Sequence, residues 1–271
     1  MRLALQQLKR VAFLSPHPDD VELCCGILIT RLLRHGSEVA YYCITDGAPS
    51  SKLLTPVARP PAHLTRPQYA AIRRKESLRA LRLMGVPSSC IHFLGYPDLE
   101  SYKHIASIVD RLAEILPLYD TVVSCPFEGG HPDHDVTRFS LACASERARF
   151  YPELLEYASY NSRGYQRFLH HRPRQVTLRS TRTERHLKRR IIRVFASQRA
   201  EAILFRDDLE RFRPNTKVPL ARFRKYTSTP HYERFTYGCT VILAAIKRHL
   251  ASHGNRPRNM TVRAEGRSHQ V

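Results

Sequence analysis

The chain has 271 residues, 42% of them hydrophobic, enough for one core of ordinary size. Its apolar runs fall short of the ~20 residues a membrane helix needs, and its seven cysteines form no C-x-x-C pair, which points to buried free thiols in a reducing compartment rather than a disulfide framework or a cysteine metal site. The net charge of +20 is uneven: residues 1–160 carry 18 Lys+Arg against 17 Asp+Glu, whereas residues 161–271 carry 26 against 7, so the basic C-terminal part could meet phosphate, anionic headgroups or nucleic acid, or be a solvated basic surface with no dedicated partner.

Met1–Arg10 contains no apolar segment followed by a small-residue cleavage site, so no secretory signal is expected and the expected location is cytoplasmic. Arg10–Ser15 reads as a short buried strand and Val21–His35 as a helix stopped by Gly36. Glu38–Thr45 is the next strand, closed by Asp46-Gly47. Residues 48–64 lack periodicity and read as a loop. Thr65 caps a helix with Pro67 in its first turn, and this helix runs to Met84 before Gly85. Cys90–Leu94 reads as a strand, Ser101–Leu116 as a helix and Asp120–Cys125 as a strand. Beyond residue 150, Pro152–Tyr160 and Gln175–Leu178 look like strands, Thr181–Gln198 like a basic helix, and Arg234–Ala245 mixes both signals. This alternation predicts an α/β fold, a Rossmann-like three-layer α/β/α arrangement around a mostly parallel sheet, with ligands beyond the carboxyl ends of its strands. One domain is expected over residues 1–250, followed by a basic, disordered tail over 251–271.

Two segments carry the chemistry. His17-Pro18-Asp19-Asp20 follows the first strand directly, and His131-Pro132-Asp133-His134-Asp135 comes shortly after the Asp120–Cys125 strand. Each places metal-competent side chains at i and i+3, where a tight turn or first helical turn can aim them at one point, and the proline stiffens the turn. His17, Asp20 and His134 would make an open site of two imidazoles and one carboxylate, a set suited to Zn²⁺, with Fe²⁺ as another candidate. The ion would lower the pKa of a bound water and polarise a carbonyl. Asp19 could take the proton from that water. His131 could stabilise an oxyanion or protonate the leaving amine. Taken alone, each motif is commonly a helix cap or a turn; their pairing at two strand ends is what points to a metal site.

These residues resemble the PIG-L and LmbE-like family of N-acetylglucosaminyl deacetylases. The first family motif corresponds to Ser15-Pro16-His17-Pro18-Asp19-Asp20-Val21-Glu22, and the second, H-P-D-H, to His131–His134. The resemblance implies an LmbE-like fold, zinc on His17, Asp20 and His134, Asp19 as general base, and His131 as the oxyanion or acid histidine. Weaker matches imply that Arg73, in Arg73-Arg74-Lys75-Glu76, contacts substrate and that Asp98, in Phe93–Asp98, meets sugar hydroxyls. The segment Lys188 to Ser197-Gln198 also resembles a family helix. One feature departs: mycothiol-type members have a tyrosine two residues before the second motif, where Gly129 stands here, and Glu128 before the Gly-Gly pair is taken as a substrate contact instead. Glu22 is read as structural, near the first helix N-terminus.

The implied activity is zinc-dependent removal of an N-acetyl group from an amino sugar or its conjugate, phosphate- or lipid-linked forms and peripheral contact with an anionic membrane included. One alternative keeps the metal site for a different N-acyl substrate, a thiol conjugate or antibiotic scaffold. Another is a basic nucleic-acid or membrane binder with a vestigial fold. Two features argue against nucleic acid: the arginine-rich segments lack interleaved aromatics, and a binder has no use for the complete ligand set.

Overall fold

The computed structural model describes residues 5–49, 63–128, 131–161, 163–169, 174–215, 220, 223 and 239–254. Its strands are β1 (Arg10–Ser15), β2 (Glu38–Thr45), β3 (Ile91–Tyr96), β4 (Thr121–Ser124), β5 (Glu153–Tyr157), β6 (Tyr160–Asn161), β7 (Gly164–Tyr165), β8 (Val176–Arg179) and β9 (Leu209–Asn215). Its helices are α1 (Asp20–Arg34), α2 (Arg66–Met84), α3 (Ile105–Ile115), α4 (Pro132–Ala148), α5 (Arg182–Val194), α6 (Arg199–Ala202) and α7 (Cys239–Gly254). Seven strands form one sheet in the order β3-β2-β1-β4-β5-β9-β8. The first five run parallel, and at one edge β9 pairs antiparallel with β5 and β8 antiparallel with β9. The expected mostly parallel α/β sheet is therefore present.

Both faces of the sheet are buried, which is why β1 and β2 read as near-continuous apolar runs. Side chains of successive residues point to opposite faces. Val11, Phe13, Val39, Tyr41 and Cys43 join one core with α1, α2 and α5. Ala12, Leu14, Ala40, Tyr42 and Ile44 join the other with α3, α4 and α7. Cys24, Cys25, Cys43, Cys125 and Cys143 are buried free thiols, as expected.

Local signals set the helix ends. Thr65 accepts from Gln68 N–H while the Gln68 side chain accepts from Thr65 N–H, closing a capping box. Gly85 ends α2 at φ 92°, a left-handed cap that costs a glycine little. Thr181 and Glu184 cap α5 in the same reciprocal way. The expected helix over Ser101–Leu116 opens with a 3-10 turn at Ser101–His104 before α3. The expected helix over Thr181–Gln198 stops at Val194, and Ala196–Gln198 is a 3-10 turn. Residues 234–238 lie outside the described residues, and the segment of mixed signals becomes helix from Cys239. Because α7 continues to Gly254, residues 251–254 are helical rather than part of a tail, and the rest of that expected tail lies outside the described residues, as does most of the expected loop at 48–64.

Candidate metal centre and active site

Four neighbouring parallel strands deliver the site. In the sheet order β3-β2-β1-β4, their carboxyl ends lead to Asp98, to Asp46-Gly47, to His17–Asp20 and to His131–His134. The turn after β1 is held by its own hydrogen bonds. Ser15 Oγ donates to His17 O at 2.6 Å and accepts from Val21 N–H at 3.2 Å, while Asp19 N–H donates to His17 O at 2.8 Å. Asp20 begins α1 and Asp19 is its N-cap residue. The second motif starts α4 with His131 as N-cap and Pro132 in the first turn.

Asp20 Oδ2 is the focal atom. It lies 2.9 Å from His17 Nδ1 and 3.1 Å from His134 Nε2. His134 Nε2 is buried and has no hydrogen-bond partner among the described residues. Two imidazole nitrogens and a carboxylate oxygen thus face one point, and His134 Nε2 meets that carboxylate outside hydrogen-bond geometry. That donor set fits a divalent cation of borderline softness. Potential ligand atoms of His17, His131 and His134 also lie within 4.8 Å of one another. Of the three, His131 is the one with a ring nitrogen already engaged by backbone: its Nδ1 accepts from Asp133 N–H at 3.2 Å. A ring whose Nδ1 accepts carries its proton on Nε2, so neutral His131 presents an N–H donor. Burial, then the neighbouring His17 and His134, hold its pKa well below the usual histidine value, which favours that neutral form.

Asp133 is a site residue to which the sequence reading gave no role. Its carboxylate faces His17 Nε2 at 3.2 Å, accepts from Leu99 N–H at 2.7 Å and is bonded by the Ser101 hydroxyl. This is the outer-shell partner expected of a ligating histidine, since it fixes the ring and the tautomer. Its position inside the second motif was the available signal. Burial would push His17 down, but Asp98, Asp133 and Asp20 outweigh it and hold the ring well above the ordinary histidine pKa. Burial would raise Asp20, yet His134 and His17 keep it well below the carboxylate range. A cation at this point would displace the proton these groups share.

Asp19 sits beside the focal atom with its carboxylate on Arg73, Nη2 to Oδ2 at 2.7 Å. Burial raises its pKa, partly offset by Arg73. Arg73 is itself buried, donates to Gly47 O at 2.6 Å and lies 3.8 Å from Asp98 Oδ2. Asp98 Oδ1 is 3.3 Å from His17 Nε2. The structure therefore brings seven residues together: His17, Asp19, Asp20, Arg73, Asp98, His131 and His134. Glu128 belongs elsewhere. One oxygen pairs with Arg213 at 2.9 Å and the other accepts from Leu169 N–H at 2.9 Å and from Asn161 at 3.4 Å, in a buried network that continues through Glu156 to Arg138. Both its oxygens thus have partners within the fold. Gly129 lies outside the described residues. Glu22 is buried against Ser77, and burial pushes its carboxyl up to about 8, consistent with the structural reading.

Gly47 lets Arg73 come this close. At φ 66° a Cβ there would lie 2.6 Å from Pro18 Cδ and 2.8 Å from Arg73 Nη1. Gly47→Ala is expected to cost about 1–3 kcal/mol through this overlap. Urea unfolding checks it, and an unchanged midpoint would show that both the Pro18 turn and the Arg73 side chain yield freely.

Comparison with known proteins places these features. Residues 12–144 match the family model PIG-L, described as GlcNAc-PI de-N-acetylase. The chain is 28% identical over 138 residues to "Probable N-acetyl-alpha-D-glucosaminyl L-malate deacetylase 2" of Bacillus anthracis, covering 49% of this chain and 58% of the relative. It is 28% identical over 134 residues to diacetylchitobiose deacetylase of Thermococcus kodakarensis, covering 47% and 45%. The chain therefore spans about half the length of the curated relatives it matches. The fold resembles that of N,N'-diacetylchitobiose deacetylase from Pyrococcus horikoshii, with TM-score 0.57, 24% identity, and coverage of 78% of this chain and 85% of that one.

Proposed function

Because residues 12–144 match the PIG-L family model, we propose that the chain is a metal-dependent hydrolase removing an N-acetyl group from an amino sugar or its conjugate. The observation that carries this reading is the convergence of His17 Nδ1 and His134 Nε2 on Asp20 Oδ2, with Asp19 beside them on Arg73. A divalent ion held by His17, Asp20 and His134, zinc first and iron(II) as the alternative, would polarise the amide carbonyl and make water a stronger acid. Asp19 takes the proton of the attacking water, and Arg73 holds its carboxylate in place. The Nε2–H of His131 donates to the oxygen that gains charge as the carbonyl carbon becomes tetrahedral. The C–N bond then breaks, and the proton collected by Asp19 goes to the departing amine, leaving acetate and the free amino sugar. Asp98 is assigned to the sugar hydroxyls, which it would share with Arg73.

The relatives' names point to N-acetylglucosaminyl and chitobiose substrates. Negative charge on the aglycone, as phosphate or a phospholipid, would suit the basic residues after 160. A purely binding role for the fold is disfavoured, because a vestigial site has no reason to retain so many buried ionisable groups at close range. Release of amine from N-acetylglucosamine conjugates tests the activity. His134→Ala removes one of three protein ligands, so the divalent ion bound per folded chain should fall well below half of the wild-type content in elemental analysis. Full occupancy in that variant would overturn the ligand assignment.

A further inference from the structure

The basic charge of the C-terminal part is organised on one surface. Arg182, Arg185, Arg189 and Arg193 recur at spacings of three and four along α5, all exposed, opposite the buried Glu184, Lys188 and Ile191. At its C-terminal end the helix borders a groove of about 800 Å³. Ile192, Phe195, Ile203 and Phe205 contribute its apolar surface, and Arg189, Arg193, Arg199 and Arg206 its rim. Arg189 meets Asp207 and Arg206 meets Asp208, but Arg193 and Arg199 have no carboxylate partner among the described residues. Ile203 in the groove is 62% and the adjoining Leu204 50% exposed, two of the four large hydrophobic residues left in solvent among the described residues. Isolated exposed leucines mean little, but an adjacent aliphatic pair set among unpaired arginines needs a partner with both chemistries.

We infer that this surface docks the protein on an anionic phospholipid bilayer, with Ile203 and Leu204 entering the interface and Arg193 and Arg199 meeting headgroup phosphates. Aliphatic side chains flanked by arginine are what an interface of acyl chains and phosphates selects. Nucleic acid would favour several aromatic rings for stacking, and among the described residues no Phe or Tyr stands exposed on this face, where His186 is the exposed ring. The surface is also close to the metal centre. Phe205 in the groove packs on Tyr165 with ring centres 5.0 Å apart, Tyr165 on Tyr160 at 5.9 Å, and Tyr160 on His134 at 5.1 Å. Two tyrosines thus separate the docking surface from a candidate metal ligand. The inference does not depend on the hydrolase reading, since binding to vesicles needs no turnover.

Co-sedimentation of the full chain with vesicles tests it. Binding to phosphatidylcholine containing about 30% phosphatidylserine should exceed binding to phosphatidylcholine alone by at least about 10-fold at ~0.1 M salt, and should weaken as salt rises. Arg193→Glu with Arg199→Glu should lower it by at least about 10-fold. Ile203→Ser with Leu204→Ser should lower it several-fold and leave a remnant of binding that salt abolishes. All four positions are exposed, so melting temperatures and metal content should match the wild type. Equal binding to neutral vesicles would overturn the inference. So would full binding by the double-glutamate variant, which would assign the attraction to other basic residues, or preference for an RNA oligonucleotide over anionic vesicles.

Discussion

Asp19→Asn is expected to lower turnover by about 10²–10⁴-fold while leaving the metal content unchanged. The asparagine keeps the shape of the side chain and can still offer an oxygen to Arg73 Nη2, which lies 2.7 Å from the carboxylate. It cannot accept a proton from water. The pH profile gives a second, independent readout. Burial raises the Asp19 pKa above the ordinary carboxylate value. A general base works only when deprotonated, so wild-type activity should fall at acid pH as Asp19 takes up a proton. The Asn variant should lose this acid limb. Retained activity within about tenfold, with the acid limb intact, would show that Asp19 only fills space and holds Arg73.

The metal-binding half of this site was legible because it is local. His17 and Asp20 share one turn, His131 and His134 another, and parallel strands β1 and β4 are neighbours, so two short motifs meet without any long-range inference. Arg73 and Asp98 were reached through family resemblance, and the structure explains their company: the turns after β2 and β3 end beside the turn after β1. Proximity of Glu128 in sequence to the second motif does not announce its ion pair with Arg213. Its partner Arg213 lies on β9, a strand with no apolar alternation to announce it. That strand reads Leu209-Glu210-Arg211-Phe212-Arg213-Pro214, and its buried charges are tolerable only because Glu156, Glu128 and Lys188 wait for them in the folded core. Helix α4 escaped for the opposite reason. From Pro132 to Ser145 every residue is buried, polar ones such as Asp135, Thr137, Arg138 and Ser140 included, so it has no amphipathic period to read.

Lys188→Met should destabilise the protein by about 3–5 kcal/mol, the cost of leaving a buried charge without its partner. Lys188 and Glu210 are both fully buried and bonded to each other. Glu210 also accepts from the backbone N–H groups of Ile27 and Leu28 in α1, at 2.9 and 3.0 Å. Gly26 keeps this approach open, since a Cβ there would lie 3.1 Å from Ile191 Cδ1 and 3.7 Å from Lys188 Nζ. The carboxylate therefore ties the edge strand β9 and helix α5 to the middle of α1, the helix whose first residue is Asp20. In Lys188→Met the new thioether side chain fills the volume, but only two N–H donors remain to solvate the charge. Adding Glu210→Gln should recover much of the loss, because an amide keeps one acceptor oxygen and carries no charge; it cannot recover all of it, because its NH₂ group faces the second N–H. Thermal and urea unfolding of wild type, single and double variants separate the contributions, with the single variant melting roughly 6–20 °C lower. If Lys188→Met cost less than about 1 kcal/mol, or if the double variant were no more stable than the single one, the loss would reflect packing around the substituted side chain, and the buried charge would not be what holds α1 to the sheet edge.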